Sequence, residues 1–181
     1  WEWSEAIAAF FTVDAGSVAR AESAIDDFRS YVEDLIGTVR RTGTGPELAQ
    51  VLLSGQVESA MTADELVAMY LVLLFGGTET TTNLLGNGFL ALQRHPEQWK
   101  QLVADPTLVD GAVEEMLRYD APHHYLPRYA VEDFPIAGRT VRRGDTVIIV
   151  QAAANRDPDV FADPDRFTIT RPNAREHLSL A

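Results

Sequence analysis

The most extended apolar stretch of the chain runs from Thr62 to His95, and one polar patch breaks it in the middle. Its start carries Thr62 and Glu65 at capping-box spacing, with Met61 placed to staple onto Leu66 across the first turn. Pro96 marks its end, because a proline disfavours helix at the residue before it. The roughly 34 residues between these marks predict a helix of about 50 Å, long enough to cross a domain through its core. Upstream, Val18, Ile25, Phe28, Val32, Leu35 and Val39 recur at threes and fours and predict a helix from about Ser17 to Arg41. Trp1 to Phe11 show the same helical spacing, and Glu47 to Leu53 predict a short helix stopped by Ser54-Gly55.

Downstream, Pro96 to Val103 and Asp110 to about Tyr119 predict two further helices, the second capped by Asp110. From Leu126 the period changes. Arg128–Val131, Thr140-Val141 and Thr146–Gln151 predict short strands around the turns Ala137-Gly138-Arg139 and Arg143-Gly144-Asp145. Asn155 to Ala181 is rich in Asp, Pro and Arg and predicts mostly irregular structure. The expected fold class is α+β, mainly α, in a single domain spanning residues 1–181.

The patch inside the long helix is Gly76-Gly77-Thr78-Glu79-Thr80-Thr81-Thr82. Two adjacent glycines cost about 2 kcal/mol relative to alanine in a helix interior, and threonines are also poor helix formers. A carboxylate there is costly to bury unless it has partners. Gly76, Glu79 and Thr80 share one helix face, so bare backbone, acid and hydroxyl lie together. Two readings stay open. The segment is a kinked core helix whose threonines bond their own backbone, or a flat or bulky group approaches the backbone beside a proton-carrying pair.

Composition narrows the function classes. The 181 residues are 46% hydrophobic, enough for one domain with a real core. A net charge of -12 argues against non-specific binding to nucleic acid or to an anionic membrane. There is no cysteine, which excludes a disulfide scaffold or a thiolate metal site made from these residues alone. Trp1–Phe11 lack the basic region of a signal peptide, and Leu66–Phe75 is too short to span a bilayer. The expectation is a soluble, cytoplasmic protein.

Several smaller motifs need weighing. Gly86-Asn87-Gly88-Phe89-Leu90-Ala91 has the glycine spacing of a dinucleotide fingerprint but no strand before it. Small residues that let a neighbouring helix come close explain it better. His123-His124 lack the carboxylate or HExxH partners of a metal site and are expected as loop histidines near a pocket. Glu115 and Arg118 lie three apart on a helix with apolar flanks, so the pair needs a further partner, for which Arg166 is the candidate.

Taken in order, these segments resemble the soluble bacterial members of the cytochrome P-450 family, the haem-thiolate monooxygenases. Gly76-Gly77-Thr78-Glu79-Thr80 matches the family's central-helix motif, and Glu115-Met116-Leu117-Arg118 its Glu-x-x-Arg. Arg166 in Pro-Asp-Arg-Phe matches its meander arginine, completing a Glu–Arg–Arg triad. Leu126-Pro127-Arg128, the Gly138 and Gly144 turns, and Ala154-Asn155-Arg156-Asp157-Pro158 follow in the family's order. The resemblance covers nearly the whole chain. It implies a partial cytochrome P-450 fold, with middle helices, oxygen-activating helix, Glu-x-x-Arg helix, small β region and meander.

One departure is plain. The family holds its iron through a cysteine in a glycine-rich loop, and the run Arg175 to Ala181 resembles the lead-in to that loop. The ligating cysteine is expected about eight residues beyond Ala181, so the 181 residues read as a segment of a longer enzyme, inactive alone and with no metal ligand of its own.

The resemblance implies insertion of one oxygen atom of O2 into a small organic substrate, with haem b as cofactor. Electrons would come from NAD(P)H through a ferredoxin and ferredoxin reductase. Thr80 would hydrogen-bond the dioxygen and an adjacent water, and Glu79 would relay protons from outside. Gly76 and Gly77 would let the helix lie close over the haem, and Arg128 would pair with a propionate. Val72, Leu73, His124, Tyr125 and Leu126 would contact substrate, while Glu115, Arg118 and Arg166 would serve as scaffold. The alternative is a haem-free relative that binds or activates a partner enzyme.

Overall fold

The computed structural model describes residues 3, 5–6, 15–54 and 61–180. The expected helix over Trp1–Phe11 and the Gly55 stop fall largely outside the described residues. The chain divides into two compact units, Trp1–Glu79 and Thr80–Ala181.

The first unit is built on helix α1, Ala15–Thr42, which begins two residues before the expected Ser17. Its apolar stripe, Phe28, Val32, Ile36 and Val39, is buried against Ala49 of α2, Glu47–Leu52, and against Leu66, Val67 and Tyr70. The last three lie near the start of the long helix α3, Ala63–Arg94. Trp3 packs edge-on against Phe28 at a ring-centre distance of 5.4 Å. Burying such side chains supplies about 1.5–3 kcal/mol each relative to leaving them exposed.

Gly43 ends α1 with a φ of 67°, a conformation glycine adopts without a Cβ clash, and its N–H bonds the Val39 carbonyl at 2.8 Å. The start of α3 is the expected capping box. Glu65 accepts from the Thr62 backbone N–H at 2.7 Å, while Thr62 Oγ1 accepts from the Glu65 N–H at 3.3 Å. The Thr62 backbone N–H, and after it the Thr62 hydroxyl donating to Glu65 Oε2 at 2.9 Å, hold the Glu65 carboxyl below its ordinary pKa.

In the second unit, α4 spans Pro96–Ala104, with its proline in the first turn where no N–H is missed. A 3-10 turn, Pro106–Leu108, leads directly into α5, Val109–Tyr119. The cap in this junction is Asp105, whose carboxylate accepts from the Thr107 N–H at 3.1 Å. Asp110, the expected cap, sits inside the first turn, because the 3-10 turn starts the helical path earlier.

Four short strands follow. β1, Leu126–Tyr129, pairs antiparallel with β4, Thr146–Ile149, in the register Leu126↔Ile149. β2, Phe134–Ile136, pairs with β3, Arg139–Val141, across a two-residue turn in which Ala137 and Gly138 both have positive φ. Sequence reasoning missed β2 because Pro135 lies inside it; a two-stranded ribbon has only edges, where a missing N–H is tolerated. The expected last strand stops at Ile149, and Gln151 instead opens the single-turn helix α6, Gln151–Ala154.

The segment after α6 is irregular, as expected, but anchored. Phe167 and Ile169 are each about 1% exposed and share a core with Ala91, Leu92 and Ala112. A second 3-10 turn, Ala174–Glu176, lies near its end. No helix among the described residues is long and apolar enough to cross a membrane.

Candidate functional site

The buried centre of the second unit is ionic. α5 carries Glu115 and Arg118 on one face, and their side chains are fully buried. The guanidinium grips the carboxylate with two bonds, Nε to Oε2 at 2.8 Å and Nη2 to Oε1 at 3.0 Å. Such a fork gives directional bonds that a lysine cannot reproduce. Arg118 Nη1 goes on to donate to the carbonyls of Asn155 at 2.8 Å and Pro164 at 2.9 Å. Glu115 Oε1 also accepts from the Thr168 backbone N–H at 2.8 Å. Removing these charges from water costs several kcal/mol per ion, and only such dense bonding offsets it.

The third member of this knot is Arg171, not Arg166. Arg171 Nε lies 3.0 Å from Glu115 Oε2, and its side chain is 6% exposed. Arg166 contributes only its backbone carbonyl, which accepts from Arg118 at 3.3 Å and from Arg171 at 2.8 Å, while the residue is exposed. The local path gives the reason. Phe167 must enter the core, which turns its neighbour Arg166 outward. A turn closed by the Arg171 N–H on the Thr168 carbonyl then returns the chain, and Arg171 with it, toward Glu115.

Sequence reasoning missed three more polar residues around this knot. Asn155 is fully buried, with its side chain on Leu178 and Ser179. Gln151 is 1% exposed and donates from Nε2 to the Leu178 carbonyl. His177 is buried too, with Nε2 3.1 Å from Glu114 Oε2. Gln151 falls at the end of a segment read as a strand, and Asn155 and His177 in a segment read as irregular, so no spacing signalled their buried partners.

The expected oxygen-handling patch lies inside α3, which stays helical through Gly76–Thr82. The unit boundary falls between Glu79 and Thr80, and each is half-buried. A Cβ added at Gly76 or Gly77 would meet nothing within 4 Å, so the backbone there is open to a close neighbour. On the same helix Val72 is 65% exposed and Leu73 is exposed as well.

In the second unit, His124 is exposed with Nε2 3.4 Å from Asp120 Oδ1, Tyr125 is exposed and Leu126 half-buried. Arg128 is exposed and donates from Nη1 to the Pro127 carbonyl at 3.0 Å. Among the described residues no three His, Asp or Glu side chains gather as a metal site. Gly88 does serve close packing: a Cβ there would lie 2.4 Å from Met116 Sδ on α5.

Comparison with known proteins agrees with this architecture. The family model for cytochrome P450 matches residues 7–179. The vitamin D(3) 25-hydroxylase of Pseudonocardia autotrophica is 41% identical over 161 residues, covering 88% of this chain and 40% of the relative. The monooxygenase PikC of Streptomyces venezuelae is 43% identical over 159 residues, covering 86% and 38%. P450BioI, solved in complex with an acyl carrier protein bearing hexadec-9Z-enoic acid, superposes with a TM-score of 0.92 at 35% identity, covering 99% of this chain and 46% of that one. The chain thus spans about two-fifths of the length of the curated relatives it matches. With a buried Glu–Arg–Arg knot, a glycine-opened central helix and matches of this extent, the chain belongs to the cytochrome P450 family.

Proposed function

We propose that the chain supplies the dioxygen-handling helix and the scaffold of a haem-dependent monooxygenase acting on a small, natural-product-like organic substrate. The observation that carries this reading is the patch in α3, where two glycines with open space at the Cβ position precede an acid and a hydroxyl within an unbroken helix. Helices keep such costly residues where function needs them.

Each unit carries, taken by itself, residues whose chemistry suits the cofactor. Arg128 offers an exposed cation for a propionate, and Gly76 and Gly77 offer backbone that a flat macrocycle can approach. The thiolate is not among these 181 residues. When bound, haem supplies reductive activation of O2 and transfer of one oxygen atom to the substrate, drawing two electrons from a redox partner. We assign the partner role to a ferredoxin and its reductase, fed by NAD(P)H.

The chain's own work is proton control and positioning. Thr80 Oγ1 donates a hydrogen bond toward the dioxygen and holds a water beside it. The Glu79 carboxylate passes protons from solvent through that water, as a general acid acting at one remove. With haem bound, proton delivery by Glu79 and Thr80 would decide whether the second oxygen atom leaves as water or as peroxide. Val72, Leu73, His124, Tyr125 and Leu126 are the proposed substrate contacts, each exposed or half-exposed within its own unit. Glu115 and Arg118, with Arg171, hold structure and take no part in the chemistry.

The test is Thr80→Ala in the full-length enzyme. Product per electron consumed should fall by about tenfold, with peroxide rising to match and overall stability little changed. Unchanged coupling removes Thr80 from the mechanism. Reduced full-length protein that shows no thiolate-haem absorption band under carbon monoxide overturns the enzyme reading and favours a haem-free partner-binding scaffold.

A further inference from the structure

Leu178 and Ser179 are held almost wholly by side chains rather than by a neighbouring strand. The Leu178 N–H donates to Asn155 Oδ1 at 2.8 Å, and the Leu178 carbonyl accepts from Gln151 Nε2. Two side-chain amides, one from the first residue of α6 and one from the residue that follows it, thus treat Leu178 as a paired strand would. Asn155 Nδ2 donates to Ser179 Oγ at 2.8 Å, and that hydroxyl in turn donates to the Leu117 carbonyl at 2.6 Å. The Ser179 N–H donates to His177 Nδ1 at 3.1 Å.

Asn155 is the junction of this arrangement. Its side chain reads one donor and one acceptor on successive residues, and its own carbonyl is fixed by Arg118 Nη1. Its backbone N–H closes α6 on the Gln151 carbonyl at 2.8 Å. The amide orientation follows from the bonds themselves, because the Leu178 N–H can only donate and so must face the oxygen. The bond from Asn155 to the Ser179 hydroxyl is buried, so its loss is expensive, with no water to replace it.

We infer that Asn155 is a positioning residue that transmits the placement of the Glu115–Arg118–Arg171 knot to Leu178–Ser179. It thereby sets the register in which the chain leaves the knot toward the ligand loop. The second half of this statement rests on the haem-enzyme reading above; the first half does not.

The experiment uses full-length enzyme with Asn155→Leu, Asn155→Asp and Ser179→Ala. Two quantities are read: amide hydrogen exchange at Leu178 and Ser179, and the fraction of reduced, carbon monoxide-bound protein showing the thiolate band. Asn155→Leu should speed exchange at both amides by about tenfold and lower the thiolate fraction. Ser179→Ala should lower that fraction in the same direction, and adding it to Asn155→Leu should change little further, as expected of residues acting through one contact.

Asn155→Asp keeps the acceptor for Leu178 but turns an acceptor toward Ser179. It should preserve Leu178 protection while lowering the thiolate fraction, and it decides the matter if the leucine variant does not fold. A drop in thermal midpoint with wild-type exchange and thiolate fraction overturns the inference, as do additive effects. Should the wild type bind no haem, the enzyme reading falls by itself, and the exchange readout still decides whether Asn155 fixes this segment.

Discussion

Glu115 and Glu79 are both acids on helices, the first between apolar flanks and the second in a glycine- and threonine-rich patch, and the protein buries them to different degrees. Glu115 is sealed in, its oxygens taken up by Arg118 three residues on and by Arg171 and the Thr168 backbone amide from a segment more than fifty positions away. Glu79 stays half-exposed in a helix that gives up glycine and threonine propensity around it. A charge sealed from water is architecture. On the function proposed above, a charge left accessible in a glycine- and threonine-rich stretch of helix is a place for work on something else.

The strongest blow to this contrast is struck at Glu115. Glu115→Ala leaves Arg118 and Arg171 buried without a counter-charge, and breaking a buried pair this way costs about 3–5 kcal/mol. Urea unfolding of the full-length enzyme should show a loss of that size or no folded protein at all. Removing Arg171 by alanine should cost about 3 kcal/mol by the same reasoning, whereas Arg166→Ala should stay within about 0.5 kcal/mol. Equal losses at the two arginines would mean that the guanidinium of Arg166, not only its carbonyl, belongs to the knot.

That pair of variants also marks how far the sequence could be read. The Glu115–Arg118 contact was legible because helical spacing alone brings residues three apart together. The third partner was not, since Arg166 and Arg171 both sit in a segment without periodicity. Which of them turns inward is decided by Phe167 and Ile169 entering the core. The capping box at Thr62 and Glu65 was equally legible, being local hydrogen-bond chemistry. The buried roles of Asn155 and Gln151 were invisible for the reason that of Arg171 was: their partners lie more than twenty positions along the chain, and a single amide carries no spacing signal. The central patch announced itself by breaking helix rules, but broken rules do not say what they are broken for.

Glycines in α3 sharpen the contrast at smaller scale. Gly88→Ala drives a methyl to 2.4 Å from Met116 Sδ and 2.9 Å from its Cγ, so the packing of α3 on α5 must give way. Overpacking of about 1–3 kcal/mol outweighs a helix-propensity gain of about 1 kcal/mol, for a net loss near 1 kcal/mol. Gly77→Ala meets nothing within 4 Å and should raise stability by about 1 kcal/mol. In the full-length enzyme the same methyl should weaken substrate turnover, because it fills the opening over the proposed cofactor. A Gly77→Ala enzyme that is more stable and equally active would strip the patch of its function.

The smallest expected effect sits at the start of the same helix and depends on pH. Glu65 is exposed, yet bonds from the Thr62 backbone and hydroxyl hold its carboxyl below the ordinary value of 4.5. A carboxyl depressed by folding stabilises the fold fully above its unfolded pKa, and that contribution fades as pH falls through the lower, folded value. The stability difference between wild type and Glu65→Gln should therefore be constant near neutrality and shrink toward zero below about pH 4.5, since glutamine keeps the bond but not the charge. Unfolding curves collected across that range decide it. A difference that grows in acid would mean the carboxyl is more readily protonated in the folded helix, and the cap would then have to be held by Thr62 alone.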